Sequence, residues 1–301
     1  MAQAATLALP PQRTRRGGAV EFARRLGRHP TAAAGGFVLA AFGLVAVLAP
    51  MLAPADPNQV ALTARLMPPG HATTEGTRYL LGSDQLGRDI LSRVVYGTRV
   101  SLSVGLLTAG ISLLIGLILG TAAGHFRGAF DAVVSRFADV LLAFPYLIFA
   151  IGAMAVIGPG FWNLVAALAF KGWVEFFRLT RSETLVQQTR EYVEGARAVG
   201  AGSARIIRRH IVPNIIHTSL VLATLRIGYF IVLEASLSFL GLGVPPRIPA
   251  WGSMVADGRE VMLTAWWVST LPGLAIVLLV LAVNLFGEGV RDILDPRLKA
   301  D

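Results

Sequence analysis

The 301-residue sequence contains no cysteine, which excludes disulfides and thiolate metal sites. Lysine is almost missing. Lys171 follows Phe170 and Lys299 follows Leu298. A phosphate-cradling loop needs lysine directly after glycine, as G-x-x-x-x-G-K-[ST], so this chain binds no ATP in that way. The five histidines never fall at H-E-x-x-H spacing, which argues against a metalloprotease. No G-x-S-x-G nucleophile elbow occurs either. No metal site and no catalytic residue is expected. Charge is scarce as well, at 15% of residues, against about 25% in an ordinary soluble domain.

What is present is apolar. Hydrophobic residues make up 54% of the chain and there are 32 glycines. Several apolar runs approach the ~20 residues that cross a bilayer, so the chain reads as an all-α polytopic membrane protein. The runs lie at about 31–53, 100–124, 132–157, 161–179, 213–242 and 271–290, giving six expected spans. The first follows a basic stretch, as a secretory signal core would, but it exceeds the usual ~7–15 residues. The second carries Gly116, Gly120 and Gly124 on one helix face, a spacing that permits close backbone packing. Leu80–Gly97 reads as a turn and an amphipathic interfacial helix leading into that run. Trp251, Trp266 and Trp267 suit the membrane–water boundary.

The net charge of +9 would suggest nucleic acid in a soluble protein. Here the arginines cluster at the ends of apolar runs, which is a topology signal instead. With the N-terminus inside and six spans, eighteen basic side chains fall on the inner side and seven on the outer. That asymmetry expects both termini in the cytoplasm, and with them the polar segment Glu191–Pro213. This segment, EYVEGARAVGAGSARIIRRHIVP, is an arginine-rich insert between apolar runs. Glu191–Val199 is helix-forming, Gly200 and Gly202 supply a bend, and Ser203 suits the cap of a second helix. Such an insert reads as a docking surface for a separate protein.

Glu194-Gly195-Ala196, Gly200 and Pro213 resemble the EAA signature of permease subunits from binding-protein-dependent ABC importers. The glycine follows the glutamate by six residues and the proline follows the glycine by thirteen. Gly195 stands where alanine is usual, and His210-Ile211-Val212 replaces the common isoleucine–x–leucine. LGSDQLGRDILSR (Leu81–Arg93), SLSFLGLGVPP (Ser236–Pro246), PAWG (Pro249–Gly252) and LDPRLK (Leu294–Lys299) are similar to the C-type permease subunit of dipeptide, oligopeptide and nickel importers. The patches run through most of the chain beyond residue 80.

The resemblance implies a non-catalytic subunit of a bacterial inner-membrane importer. Its partners would be a B-type permease, two ATPase subunits that carry the ATP and Mg, and an extracytoplasmic solute-binding protein. No nucleic acid is implied. The cargo would be a di- or oligopeptide, with nickel, glutathione or opine-type solutes as alternatives. A proton-coupled secondary transporter and an intramembrane enzyme are the competing classes. The implied division is a basic tail at 1–30, a first span and outer connection at 31–98, a core at 99–291 holding the coupling loop 181–213, and a tail at 292–301.

Within that loop the resemblance points to Glu191, Glu194, Gly195, Ala196, Gly200, Arg205, Arg208 and Pro213 for ATPase coupling. Asp139, Arg226 and Glu234 are charges inside apolar runs. A charge there is costly and faces protein or a water-filled cavity. Arg226 and Glu234 either line the solute route or pair with each other to fix packing. Asp139 either borders the cavity or meets the partner permease. Lys171 and Glu175, four residues apart, read as a local pair. Asp84, Gly87, Arg88, Asp89, Pro249 and Trp251 belong to two outer-face patches that either contact the binding protein or only turn the backbone.

Overall fold

The computed structural model describes residues 29–72 and 78–294. The basic tail before His29 and most of LDPRLK therefore lie outside the described residues. Among those described, the chain is helical and forms only isolated bridges of extended backbone. The helices are α1 (Pro30–Leu52), α2 (Ile90–Phe126), α3 (Gly128–Ala143), α4 (Tyr146–Ile157) and α5 (Phe161–Gln188). They continue as α6 (Glu191–Ala198), α7 (Ser203–Phe239), α8 (Trp251–Arg259) and α9 (Trp267–Leu294).

Four of these, α1, α2, α7 and α9, are long and apolar enough to cross a membrane. The expected third span is not one straight helix. Phe144 is extended, with φ −93° and ψ 137°, because the ring of Pro145 disfavours helical backbone before it. The result is a 93° bend between α3 and α4, which count as a fifth span if the bent pair crosses as one. Helix α5 has 28 residues, about 42 Å of rise. Lys171, Glu175, Arg178 and Arg181 on it remove it from the apolar class. The six expected spans thus resolve into four apolar helices, a broken one and a charge-bearing one.

Helix α2 is the axis of the bundle. The interfacial helix expected before the second span is its first two turns, so one helix of 37 residues, about 56 Å, begins inside the segment assigned to the outer connection. Asp89 caps it by accepting the Ser92 amide at 2.7 Å. Its glycine stripe packs on α5. A Cβ at Gly116 would lie 2.8 Å from the Trp173 carbonyl oxygen, and one at Gly124 would lie 2.9 Å from that of Arg181. Thr180 Oγ1 donates to the Gly116 carbonyl at 2.8 Å, and Gln188 Nε2 donates to that of Gly124 at 2.7 Å. Polar side chains on α5 thus bond to backbone that glycine leaves open.

One apolar core joins α2, α4, α5 and α7 through Val104, Met154, Leu168 and Phe230. A second joins α2, α7, α8 and α9 through Ile90, Ile231, Trp251, Val268 and Leu279. Trp251 and Trp267 are buried in it, packed against protein on all sides. Each indole N–H needs an acceptor when buried. Trp251 donates to the Val94 carbonyl at 2.9 Å and Trp267 to that of Ser83 at 3.1 Å. Trp266 alone of the three is largely exposed.

Candidate functional site

The polar segment builds a helix, a tight turn and a second helix. Glu191 and Glu194 sit in the first turn of α6, where negative charge complements the helix dipole. The helix closes at Gly200, whose φ is +80°. The Gly200 amide donates to the Arg197 carbonyl at 2.9 Å and the Ala201 amide to that of Ala196 at 3.0 Å. This paired closure is a Schellman motif, and it puts glycine at its left-handed position. Ser203 supplies no cap; Gly202 occupies that place and offers no side chain.

Pro213 does not break the second helix. Ile207–Ile211 forms a π-helical turn in which the Val212 amide reaches back to the Ile207 carbonyl. The widened turn accommodates the donor that Pro213 lacks. Helix α7 therefore runs from the loop into the bundle as one rod. Val193, Ile206, Ile211 and Ile215 form a small core beneath the loop, with Leu117 of α2 packed against it. Glu191, Glu194, Arg205, Arg208 and Arg209 remain exposed above it. The loop is thus packed on the start of α7 and, through Leu117, on α2.

Gly195 is the departure from the usual signature, and a Cβ there would meet nothing within 4 Å. Gly195→Ala is therefore expected to stabilise α6 by about 0.5–1 kcal/mol. Slower amide hydrogen exchange across residues 191–198 would register it; unchanged exchange would count against the helix.

The intramembrane charges are arranged differently from expectation. Arg226 and Glu234 do not pair. They lie eight residues apart on α7, about 12 Å of rise, beyond direct contact. Arg226 Nε instead meets Glu175 Oε2 of α5 at 2.5 Å. Glu234 is fully buried, accepting Ser101 Oγ at 3.0 Å and Ser238 Oγ at 2.7 Å. Lys171 forms no direct salt bridge with Glu175, although the two remain electrostatic neighbours on one helix face. Its ammonium donates to the Phe144 carbonyl at the α3–α4 break, with the Tyr146 ring centroid 5.4 Å away. A cation thus sits at the carbonyl end of α3, where the helix dipole favours it. Asp139 pairs with Arg178 at 2.6 Å on an exposed face beside a cavity of about 320 Å³.

The two patches around Asp84–Asp89 and Pro249–Trp251 fold on each other. Asp84 is buried and accepts the Leu86 and Arg88 amides, both at 2.9 Å, and Arg88 Nε at 2.6 Å. Arg93, 2% exposed, approaches it at 3.8 Å. Gly87, at φ +71°, passes so close to the Ala61 carbonyl that a Cβ would overlap it. Gln85 Nε2 donates to the Asp257 carbonyl of α8 at 2.7 Å, and Arg88 faces the Asp257 carboxylate at 3.5 Å. Burial raises the Asp257 carboxyl above its ordinary range, and Arg88 pulls it back. Trp251 leans on Gly97 of α2. Pro249 precedes α8 and borders a groove of about 610 Å³ with Arg247 and Pro54. Asp84, Gly87, Asp89 and Trp251 are thus committed to internal structure. Asp84→Asn is expected to cost about 2 kcal/mol, the scale of a charge-assisted hydrogen bond. The check is a lower melting temperature in detergent; an unchanged one would contradict the buried network.

Sequence reading missed the Glu175–Arg226 pair, the Arg181–Asp131 pair at 2.6 Å and the burial of Arg93. One signal was available. Lys171, Glu175 and Arg178 follow at helical spacing, so they share a face of α5.

The structure is an apolar helical bundle with a polar helix-turn-helix packed against one end, the architecture of a membrane-spanning component. The chain belongs to the family of binding-protein-dependent transport system inner membrane components, which it matches over residues 113–300. Residues 20–69 match the N-terminal transmembrane domain of oligopeptide transport permease C. The di/tripeptide transport system permease protein DppC of Pseudomonas aeruginosa is 43% identical over 254 residues, 84% of either chain. The glutathione transport system permease protein GsiD of Pectobacterium atrosepticum is 43% identical over 283 residues, 93% of this chain and 91% of its own. The fold is similar to a chain of the inward-facing MetNI methionine ABC transporter, with TM-score 0.55 and 18% identity over 67% of this chain and 96% of that one. The protein is thus a multi-pass inner-membrane transport component.

Proposed function

We propose that this chain is one half of the translocation pathway of an ATP-driven importer for di- or oligopeptides. Its partners are a B-type permease, two ATPase subunits that hold ATP and Mg, and a solute-binding protein outside the cell. The observation that carries the reading is the loop from Glu191 to Pro213, whose second helix is continuous with the apolar rod α7. A push on Arg205 or Arg208 at the loop surface moves α7 as a lever, because the small core under the loop leaves no hinge. ATP-driven closure of the ATPase pair would use that lever to alternate the pathway. The loop then lies in the cytoplasm with both termini. The names of the similar proteins support peptide cargo, and the glutathione relative fits as well, since glutathione is itself a peptide.

The test is purification in mild detergent followed by reconstitution with a labelled dipeptide. Recovery of a second permease and ATPase subunits, with uptake that needs ATP and survives collapse of the proton gradient, is the expected result. Uptake by the isolated chain, lost when the gradient collapses, would overturn the reading in favour of a secondary transporter.

A further inference from the structure

The ionisable groups at membrane depth are satisfied in different ways. Glu234 is fully buried between two hydroxyls, and Lys171 is buried against a carbonyl. Glu175 and Arg226 are not enclosed. Their side chains stay 37% and 32% exposed although they touch at 2.5 Å. Beside them the ring of Tyr229, 36% exposed, lies 5.3 Å from the Arg226 guanidinium carbon.

An ion pair one-third open cannot face hydrocarbon, where intramembrane charge turns toward the bundle interior or a watery cavity. The exposed faces elsewhere have the opposite character. Leu114 and Ile118 on α2, and Leu274, Val277, Leu278 and Leu281 on α9, are apolar and open. The charged part of the face shared by α5 and α7 is therefore turned away from lipid, toward the interior of the assembled transporter. Its polar line continues from Glu175 to Arg178, one turn nearer the loop, and to the cavity of about 320 Å³ that Arg178, Asp139 and Ser135 border.

The chemistry of the pair also points to a ligand. A carboxylate and a guanidinium side by side, flanked by an aromatic face, complement the ammonium and carboxylate of one zwitterion. Both side chains can exchange each other for the two ends of a solute, so neither charge is left unpaired during the exchange. We propose that Glu175, Arg226 and Tyr229 form a transit subsite in a water-filled route, receiving the charged termini of a free peptide. The inference rests on the importer reading above, and it adds the subsite and its chemistry.

The chain has no cysteine, so a single introduced thiol reports on one position when labelling is read on this subunit after denaturing electrophoresis. The full importer is reconstituted with Tyr229→Cys, or with Met154→Cys as a fully buried control. A membrane-impermeant cationic methanethiosulfonate is expected to modify Tyr229→Cys at least ~10-fold faster than the control, since thiol reactivity follows access. Excess dialanine should slow that reaction. In parallel, the double variant Glu175→Gln with Arg226→Gln removes both charges and leaves a neutral polar side chain at each position. It is expected to lower dialanine uptake about 10-fold, a barrier change of roughly one decade. Melting temperature should change little, because an ion pair one-third exposed contributes only about 0–1 kcal/mol, so the loss of uptake is not a loss of folding. Equal reactivity of the two thiols, or wild-type uptake by the double variant, would overturn the subsite. A wild-type importer that does not move dialanine would instead sink the peptide reading, and thiol reactivity would still decide whether the pair lines water.

Discussion

Leucine in place of Gly120 is expected to prevent the bundle from closing. Helices α2 and α5 approach so tightly there that a Cβ would overlap Thr180 Oγ1, reach 2.6 Å from the Phe177 carbonyl oxygen and 3.0 Å from the Arg181 amide. Two of the three obstacles are backbone, so no rotamer change relieves them. Separating the helices would also break the Thr180 and Gln188 bonds to the α2 carbonyls. In a membrane the contact depends on close packing and such hydrogen bonds, because lipid tails are as apolar as the side chains they replace. The cost is expected to exceed about 3 kcal/mol, above ordinary overpacking, because the obstacle is rigid. The measurement is the yield and melting temperature of the complex in detergent. Gly110→Leu on the same helix is the control, since a Cβ there meets nothing within 4 Å. Equal yield and stability of the two variants would refute the close α2–α5 contact.

Valine in place of Gly200 is expected to uncouple transport while leaving the bundle intact. A Cβ at Gly200 has open space, so the penalty comes from backbone alone. At φ +80° a β-branched residue is strained by about 1–3 kcal/mol. Relief requires opening the Schellman closure, which would swing α6 away from Ile206 and Ile211. If this loop is where ATP-driven closure is received, uptake should fall about 10- to 100-fold, the usual span of a coupling free energy. Membrane insertion and melting temperature should change little, because Gly200 touches no part of the main cores. Asn tolerates left-handed backbone, so Gly200→Asn should recover most uptake. Normal uptake by the valine variant would remove the loop from the coupling mechanism. Loss with asparagine equal to that with valine would point to a surface needing glycine for clearance, not for conformation.

The sequence was most informative where a local rule decides the outcome. Gly200 marks a helix end whose geometry depends on a few neighbouring backbone bonds, and the glycine stripe of α2 announced a close partner by spacing alone, whereas the cap expected at Ser203 fell one residue earlier, at Gly202. The reading went astray where charge had to find a partner in three dimensions. Arg226 was set against Glu234 because both stand out in one apolar run, yet their separation along α7 forbade it. Lys171 was set against Glu175 by spacing, yet the broken end of α3 offered its ammonium a carbonyl. Residue type alone did not show that Trp251 is enclosed by the second core.

The sequence by itself determined that this is a helical membrane protein, where its apolar runs lie, which family it belongs to and where its polar helix-turn-helix begins. Each of these depends on composition, periodicity or contiguous motif, and those survive without a fold. Only the tertiary structure decided that the third run is bent by 93°, that the loop and α7 form one rod over a shared core, and that Glu175 and Arg226 meet. The physical reason is distance along the chain. A buried charge takes whichever partner the packed helices bring within a few ångströms, and α5 meets α7 about fifty residues later, after the whole loop has turned the chain back.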